Sequence, residues 1–160
     1  MRRVVFNQKG GVGKSTIACN LAAISAARGR DTILLDLDPQ GNSSRYLLGD
    51  GVDQPGPDGA GFFGQMLEFT FHDEPLASFL RPTPYPGLRV LCASSRLDEM
   101  ESKLESRYKM MKLREALERV PDETVIYIDT PPALNFFSRS ALIASNGVLV
   151  PFDCDDFSRQ

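Results

Sequence analysis

"NQKGGVGKST", residues 7–16, is the stretch on which the fold turns. Gly10, Gly11 and Gly13 crowd residues without side chains into one short segment. Successive backbone N–H groups there can turn inward on an anion. Val12 completes the segment, and Lys14, Ser15 and Thr16 follow it directly. A loop that cradles the β- and γ-phosphates of a nucleotide needs a lysine and then a hydroxyl at these places. The common spacing G-x-x-x-x-G-K-[ST] nevertheless fails at one position. Glycine is required at 8, where the chain has Gln8, and a second lysine, Lys9, stands beside it.

The flanking sequence supplies the elements such a loop requires. Residues 4–7 read as a short buried strand. Residues 15–28 read as a helix with Ile17, Ala18, Leu21, Ala22 and Ile24 on one face, closed by Gly29. Strand, glycine loop and helix point the positive end of the helix at the anion. Further along, "TILLDLD" (32–38), "LRVLCAS" (88–94), "TVIYIDT" (124–130) and "GVLVPF" (147–152) are continuous rather than alternating apolar runs. Strands covered on both faces have this character, which predicts an α/β fold: a mostly parallel sheet with helices on both faces, in three layers. Helices are expected at 97–119 and 136–145. An exposed loop is expected at 49–61, a short amphipathic piece at 62–80 and a turn at "RPTPYPG". There is no internal repeat and no sign of a second domain, so residues 1–160 read as one domain.

Composition narrows the class. With 42% apolar and 24% charged residues the chain can bury an ordinary core. A net charge of −3 argues against a surface made as a whole for nucleic acid. Cys19, Cys92 and Cys154 are odd in number and lack CxxC spacing, which indicates reduced thiols and neither a disulfide framework nor a zinc site. No apolar run approaches the length of a membrane span, and the chain is expected to be cytoplasmic.

Carboxylates fall at two predicted strand ends. In "LLDLDPQGN", Asp36 and Asp38 alternate with leucines, so a strand continuing to Pro39 turns both to one side, beside the phosphates. In "VIYIDTPP", Asp129 ends an apolar strand at its carboxyl edge, where open α/β sheets bind ligands. That is a Walker B arrangement.

"KGGVGKST", "LLDLDPQGN" and "VIYIDTPP", in this order, resemble the deviant Walker A P-loop ATPases of the ParA/MinD group, and most of all its ParA (Soj) partition branch. The resemblance implies a P-loop NTPase that binds ATP with Mg2+ and hydrolyses it slowly under stimulation by a partner. Lys9 matches the group's signature lysine, which reaches across an ATP-bound homodimer to the other subunit's phosphates, as an arginine finger does. Lys14 matches the P-loop lysine, and residues 9–16 line the phosphates. Ser15 is then a Mg2+ ligand and Asp38 the residue that positions the attacking water. Asp36 is its switch I neighbour on the metal side, and Asp129 the Walker B carboxylate holding Mg2+ through water. Residues 129–132 form switch II.

The resemblance also implies a ParB-like stimulating partner and a role in DNA, plasmid or chromosome partition or in cargo positioning. Complete members run roughly one and a half times this length. The chain therefore reads as C-terminally truncated or naturally short, without the adenine contacts and most of the basic residues that bind DNA nonspecifically. A helix-turn-helix before Met1 and a membrane-binding C-terminal helix are likewise not expected. A nucleotide-dependent binding module without useful turnover, a MinD-like positioning ATPase and a metabolic ligase of the same superfamily remain as alternatives, the last weakened by "DPQGN". His72 has no ligand-spaced partner and reads as a surface residue. Arg2 and Arg3 read as exposed charges at a strand start. The charged run 98–119 reads as a sheet-covering helix with Leu97, Met100, Leu104, Met111 and Leu117 inward.

Overall fold

The computed structural model describes residues 1–68 and 73–152. His72 and Cys154 lie outside the described residues. β1 (Arg2–Val5) leads into the glycine loop and α1 (Lys14–Ala27) leads out of it. β1 starts and stops two residues before the expected span. The Asn7 side chain accepts a hydrogen bond from the Lys9 amide (2.8 Å), which turns the backbone away from the sheet. The first βα unit is completed by Gly29, whose left-handed φ of 78° lets its N–H reach the Ala26 carbonyl at 2.8 Å and end the helix.

Next come β2 (Thr32–Asp36), α2 (Asn42–Leu48) and α3 (Gly59–Gln65). β3 (Arg81–Pro82) and β4 (Leu88–Leu91) follow, then α4 (Arg96–Ser106) and α5 (Lys112–Glu118). β5 (Val125–Asp129), α6 (Phe136–Ala144) and β6 (Gly147–Leu149) end the described chain. The strands form a single sheet in the order β3-β4-β2-β5-β1-β6. All neighbours are parallel except β3, which pairs antiparallel with β4 at the edge.

Because successive residues of a strand face opposite sides, each apolar run feeds two cores. Val4, Ile33, Leu35, Ile126 and Ile128 pack with the residues of α3 to α6. Val5, Leu34, Val90 and Tyr127 pack with Ala18, Cys19 and Ala22 of α1 and Leu47 of α2. The α1 core is thin, built from alanines, and this lets the helix lie close to the sheet. Ile24, expected on the inner face, is 48% exposed. On the opposite face Phe63 meets Phe62, Phe136 and Phe137 edge to face at centroid distances of 5.0, 6.4 and 5.2 Å. Such pairs contribute about 1 kcal/mol each beyond burial and fix α6 against α3.

Three expectations change. The predicted helix over 97–119 is two helices. Tyr108 adopts a left-handed φ of 55°, and a 3-10 turn at Lys109–Met111 follows it. The break resets the helical phase: Leu113 and Leu117 point inward with Leu97 and Leu104, while Met111 is exposed. The predicted loop over 49–61 contains a 3-10 turn at Gly49–Asp53 and the start of α3, where Asp58 caps the helix by accepting from the Gly61 amide at 2.8 Å. The turn "RPTPYPG" includes β3, which Arg81 anchors by donating to the Gly51 and Val52 carbonyls.

Candidate functional site

The parallel register brings three strand ends level. Val5, the last residue of β1, lies opposite Asp129, and Asp129 lies opposite Asp36. The Thr130 hydroxyl donates to the Val5 carbonyl at 2.8 Å, tying the end of β5 to the start of the glycine loop. The Asn7 side-chain Nδ2 donates to the Pro151 carbonyl at 2.8 Å, so the loop is also pinned to the segment after β6.

Between these ties the loop opens on a cleft of about 400 Å3. It is lined by Gly10, Gly11, Gly13, Lys14, Ser15 and Thr16, by Asp38 and Gln40 after β2, by Asn42 and Tyr46 of α2, and by Pro132. Gly11 and Gly13 have φ of 76° and 83°, a conformation that L side chains rarely adopt. A Cβ added at either would meet nothing within 4 Å, so the loop backbone faces open space of the kind a phosphate fills. Val12 is half-buried within the loop.

Lys14 is the first residue of α1 and is buried to 7% exposure, its Nζ donating to the Lys9 carbonyl at 3.1 Å. Burial lowers its pKa, and the charges of Asp129 and Asp38 oppose the fall. The two lysines are thus already distinct: one side chain lies buried among the carboxylates, and the other residue contributes its backbone carbonyl to hold it. Lys9 is itself half-buried.

The three carboxylates also differ. Asp129 is fully buried, and burial raises its pKa. Hydrogen bonds from Ser15 and Ser43 pull it down, the Asp38 charge pushes it up, and Lys14 draws it down again. Its Oδ2 accepts from Ser43 Oγ at 2.7 Å, while Oδ1 is buried with no hydrogen-bond partner among the described residues. Asp38 lines the cleft, with Oδ1 accepting from the Gln40 amide at 3.0 Å.

Asp36, beside Asp129 at the strand ends, does not line the cleft. β2 ends at Asp36, so the alternation expected to carry both carboxylates to the phosphates stops short of Asp38. Asp36 Oδ2 accepts from the Ser44 amide and hydroxyl, both at 2.7 Å, and Oδ1 from the Asp38 amide at 3.3 Å. Burial lifts its pKa to about 7; the Asp129 charge adds to the rise, and the bonds from Ser44 and the Asp38 amide resist it.

Asn7, Ser43, Ser44, Gln40 and Tyr46 were not singled out by sequence reading. A signal was present in "PQGNSSRYLL", where polar residues suited to a helix start precede an apolar pair. Its brevity hid α2. Cys19 is buried, which pushes its thiol up to about 11 and disfavours the reactive thiolate. Among the described residues no helix is long and apolar enough to cross a membrane.

A glycine loop between β1 and α1, with a buried lysine and a strand-end aspartate behind it, defines a P-loop domain. A family model for an AAA domain (AAA_31) matches residues 3–160, and the chain belongs to that family. It is homologous to ParA/Soj partition ATPases. It is 37% identical over 156 residues to the chromosome partitioning protein ParA of Myxococcus xanthus, covering 96% of this chain and 52% of that protein. It is 35% identical over 162 residues to the chromosome-partitioning ATPase Soj of Treponema pallidum, covering 97% and 58%. Among solved structures, a cobyrinic acid a,c-diamide synthase from Mycobacterium smegmatis with bound ATP analog and magnesium is 31% identical with a TM-score of 0.83, covering 100% of this chain and 63% of that one. The chain spans little more than half the length of the curated relatives it matches.

Proposed function

We propose that the chain is the nucleotide-binding part of a ParA-type ATPase, a cytoplasmic switch that dimerises on ATP and is reset by Mg2+-dependent hydrolysis. The observation that carries this reading is the convergence of Lys14, Ser15 and Asp38 on one cleft whose floor is the glycine loop, with Asp129 buried behind Lys14 and Ser15. The residues present suit Mg2+. Among the described residues Asp129 Oδ1 has no hydrogen-bond partner, and the Ser15 side chain lies close enough to lower the pKa of the same carboxylate. Among the described residues no group of three or more His, Cys, Asp or Glu side chains is arranged to hold a metal. That fits an ion that is shared with nucleotide phosphates and keeps much of its water.

In this reading the amides of residues 10–13 take the phosphate oxygens, with Val12 contributing only its backbone. Lys14 places its charge on the β- and γ-phosphates, and the hydroxyls of Ser15 and Thr16 complete the cradle. Ser15 and Asp129 hold Mg2+, which when bound supplies charge that offsets the negative charge developing on the transferring phosphoryl group. Asp38, beside Gln40 at the cleft wall, orients the attacking water. Lys9 acts in trans, stabilising that same charge in a second copy of the chain. Asp36, whose oxygens are both engaged, anchors α2 instead of binding metal. A ParB-like protein stimulates turnover, and the cargo is DNA or a particle positioned on it. Partition is preferred over a metabolic ligase because several of the curated relatives at 35–37% identity are named for chromosome partitioning.

Lys14→Ala tests the reading. The wild-type chain should gain about 2.7 kcal/mol of stability from Mg-ATP at about 100 times its Kd, read as a rise in Tm. The variant should fold and lose that rise. An equal rise in the variant would refute the assignment of Lys14 to the phosphates.

A further inference from the structure

The first turn of α2 carries two consecutive serines, both buried, and each reaches a different strand-end carboxylate. Ser43 Oγ donates to Asp129 Oδ2 at 2.7 Å. Ser44 donates to Asp36 Oδ2 through its amide and its hydroxyl, and its Oγ accepts from the Ala93 amide at 2.9 Å, just beyond β4. The same helix presents Asn42 and Tyr46 to the cleft. α2 is therefore stitched to the ends of β2, β4 and β5 while forming one wall of the cleft.

The two stitches leave different remainders. Both Asp36 oxygens are used, so the Ser44 bond completes a closed structural anchor. Asp129 keeps one oxygen without a partner among the described residues. A strong O–H···O bond to one oxygen of a carboxylate fixes the plane of the group and so the direction of the other oxygen. We infer that Ser43 is a positioning residue: it sets the Asp129 carboxylate so that its second oxygen is presented to the Mg2+ of a bound nucleotide, whereas Ser44 only holds α2 in place. The inference rests on the nucleotide reading above and extends it to α2.

The test is binding of a non-hydrolysable ATP analogue to the full chain, titrated with free Mg2+ from chelated to millimolar, alongside Tm without nucleotide. Ser43→Ala should raise the Mg2+ concentration giving half of the metal-dependent gain in affinity by roughly tenfold or more, the usual loss when a partner behind a metal ligand is removed. Affinity in chelator should stay within about twofold of wild type, because the phosphate loop is untouched. Ser44→Ala should lower Tm and leave the Mg2+ midpoint where it was. Ser43→Thr retains the hydroxyl and should keep the wild-type midpoint, which guards against a Ser43→Ala chain that fails to fold. An unchanged or lowered midpoint in Ser43→Ala, or a shifted one in Ser43→Thr, overturns the inference. Should the wild-type chain bind no nucleotide at any Mg2+ concentration, the nucleotide reading itself falls and takes the inference with it.

Discussion

Replacing Asp36 with Asn should change the pH dependence of stability in a direction set by burial. In the unfolded chain this carboxyl titrates near its ordinary value of 3.8, and in the folded chain at about 7. Between those values the folded state binds more protons than the unfolded state. Its stability is complete below the unfolded pKa and falls as pH rises toward the folded one. The difference of about three pKa units corresponds to about 4 kcal/mol lost between pH 4 and pH 8, at about 1.4 kcal/mol per unit. Asn cannot ionise and avoids the loss. Its carbonyl can still accept from Ser44, but its amide leaves the Asp38 N–H without an acceptor, at a pH-independent cost of about 1–2 kcal/mol. Asp36→Asn should therefore be the less stable protein at pH 4 and the more stable at pH 8. The gap should swing by up to about 4 kcal/mol. Urea unfolding in chelator at both pH values measures it, since bound metal would alter the charge on neighbouring Asp129. Parallel stability curves for the two proteins would show that burial does not raise the Asp36 pKa in the folded chain, and the reasoning from burial would fail.

If Lys9 acts across a dimer, Lys9→Ala should leave nucleotide affinity of the monomer within about twofold and remove ATP-dependent dimerisation, while Asp38→Ala should dimerise without turnover. Mixing the two variants should restore part of the ATPase activity, and a Lys9→Ala chain that binds nucleotide as poorly as Lys14→Ala would count against the trans role. Tyr108→Gly should raise stability by about 0.5 kcal/mol, since relief of the left-handed backbone slightly exceeds the entropy cost of glycine. A clear drop in Tm would mean that the 92% exposed ring makes an interaction that matters.

The glycine loop, the five parallel strands and α6 were legible because each rests on a local rule: glycines where a backbone must approach an anion, and continuous apolar runs where both faces are covered. Lys14, Ser15 and Asp129 converge as their spacing implied, since parallel register carries every strand end to the same edge. The break at Tyr108 was not legible. Nothing in "SRYKMMK" disfavours helix, and the turn that replaces it packs against α6, which is distant in sequence. The role of Asp36 was hidden for a related reason. Its neighbours in space are Ser44, eight positions beyond the strand, and Asp129, in another strand altogether. β3 escaped because a Pro-rich segment suggests a turn, yet an edge strand with no ladder N–H at Pro82 tolerates it.

The strand order has a consequence in time as well as in space. β1 is the first element of the chain, but its two neighbours in the sheet are β5 and β6. Until residue 125 has been made, the strand that launches the glycine loop has no partner to pair with. At roughly 5–20 residues per second a ribosome needs several seconds to supply one. During that interval the apolar pair Val4 and Val5 depends on other protection, and the late closure of such distant contacts slows folding. The loop acquires its shape only after β5 has slipped between β1 and β2, so no nascent chain short of that strand can grip a nucleotide.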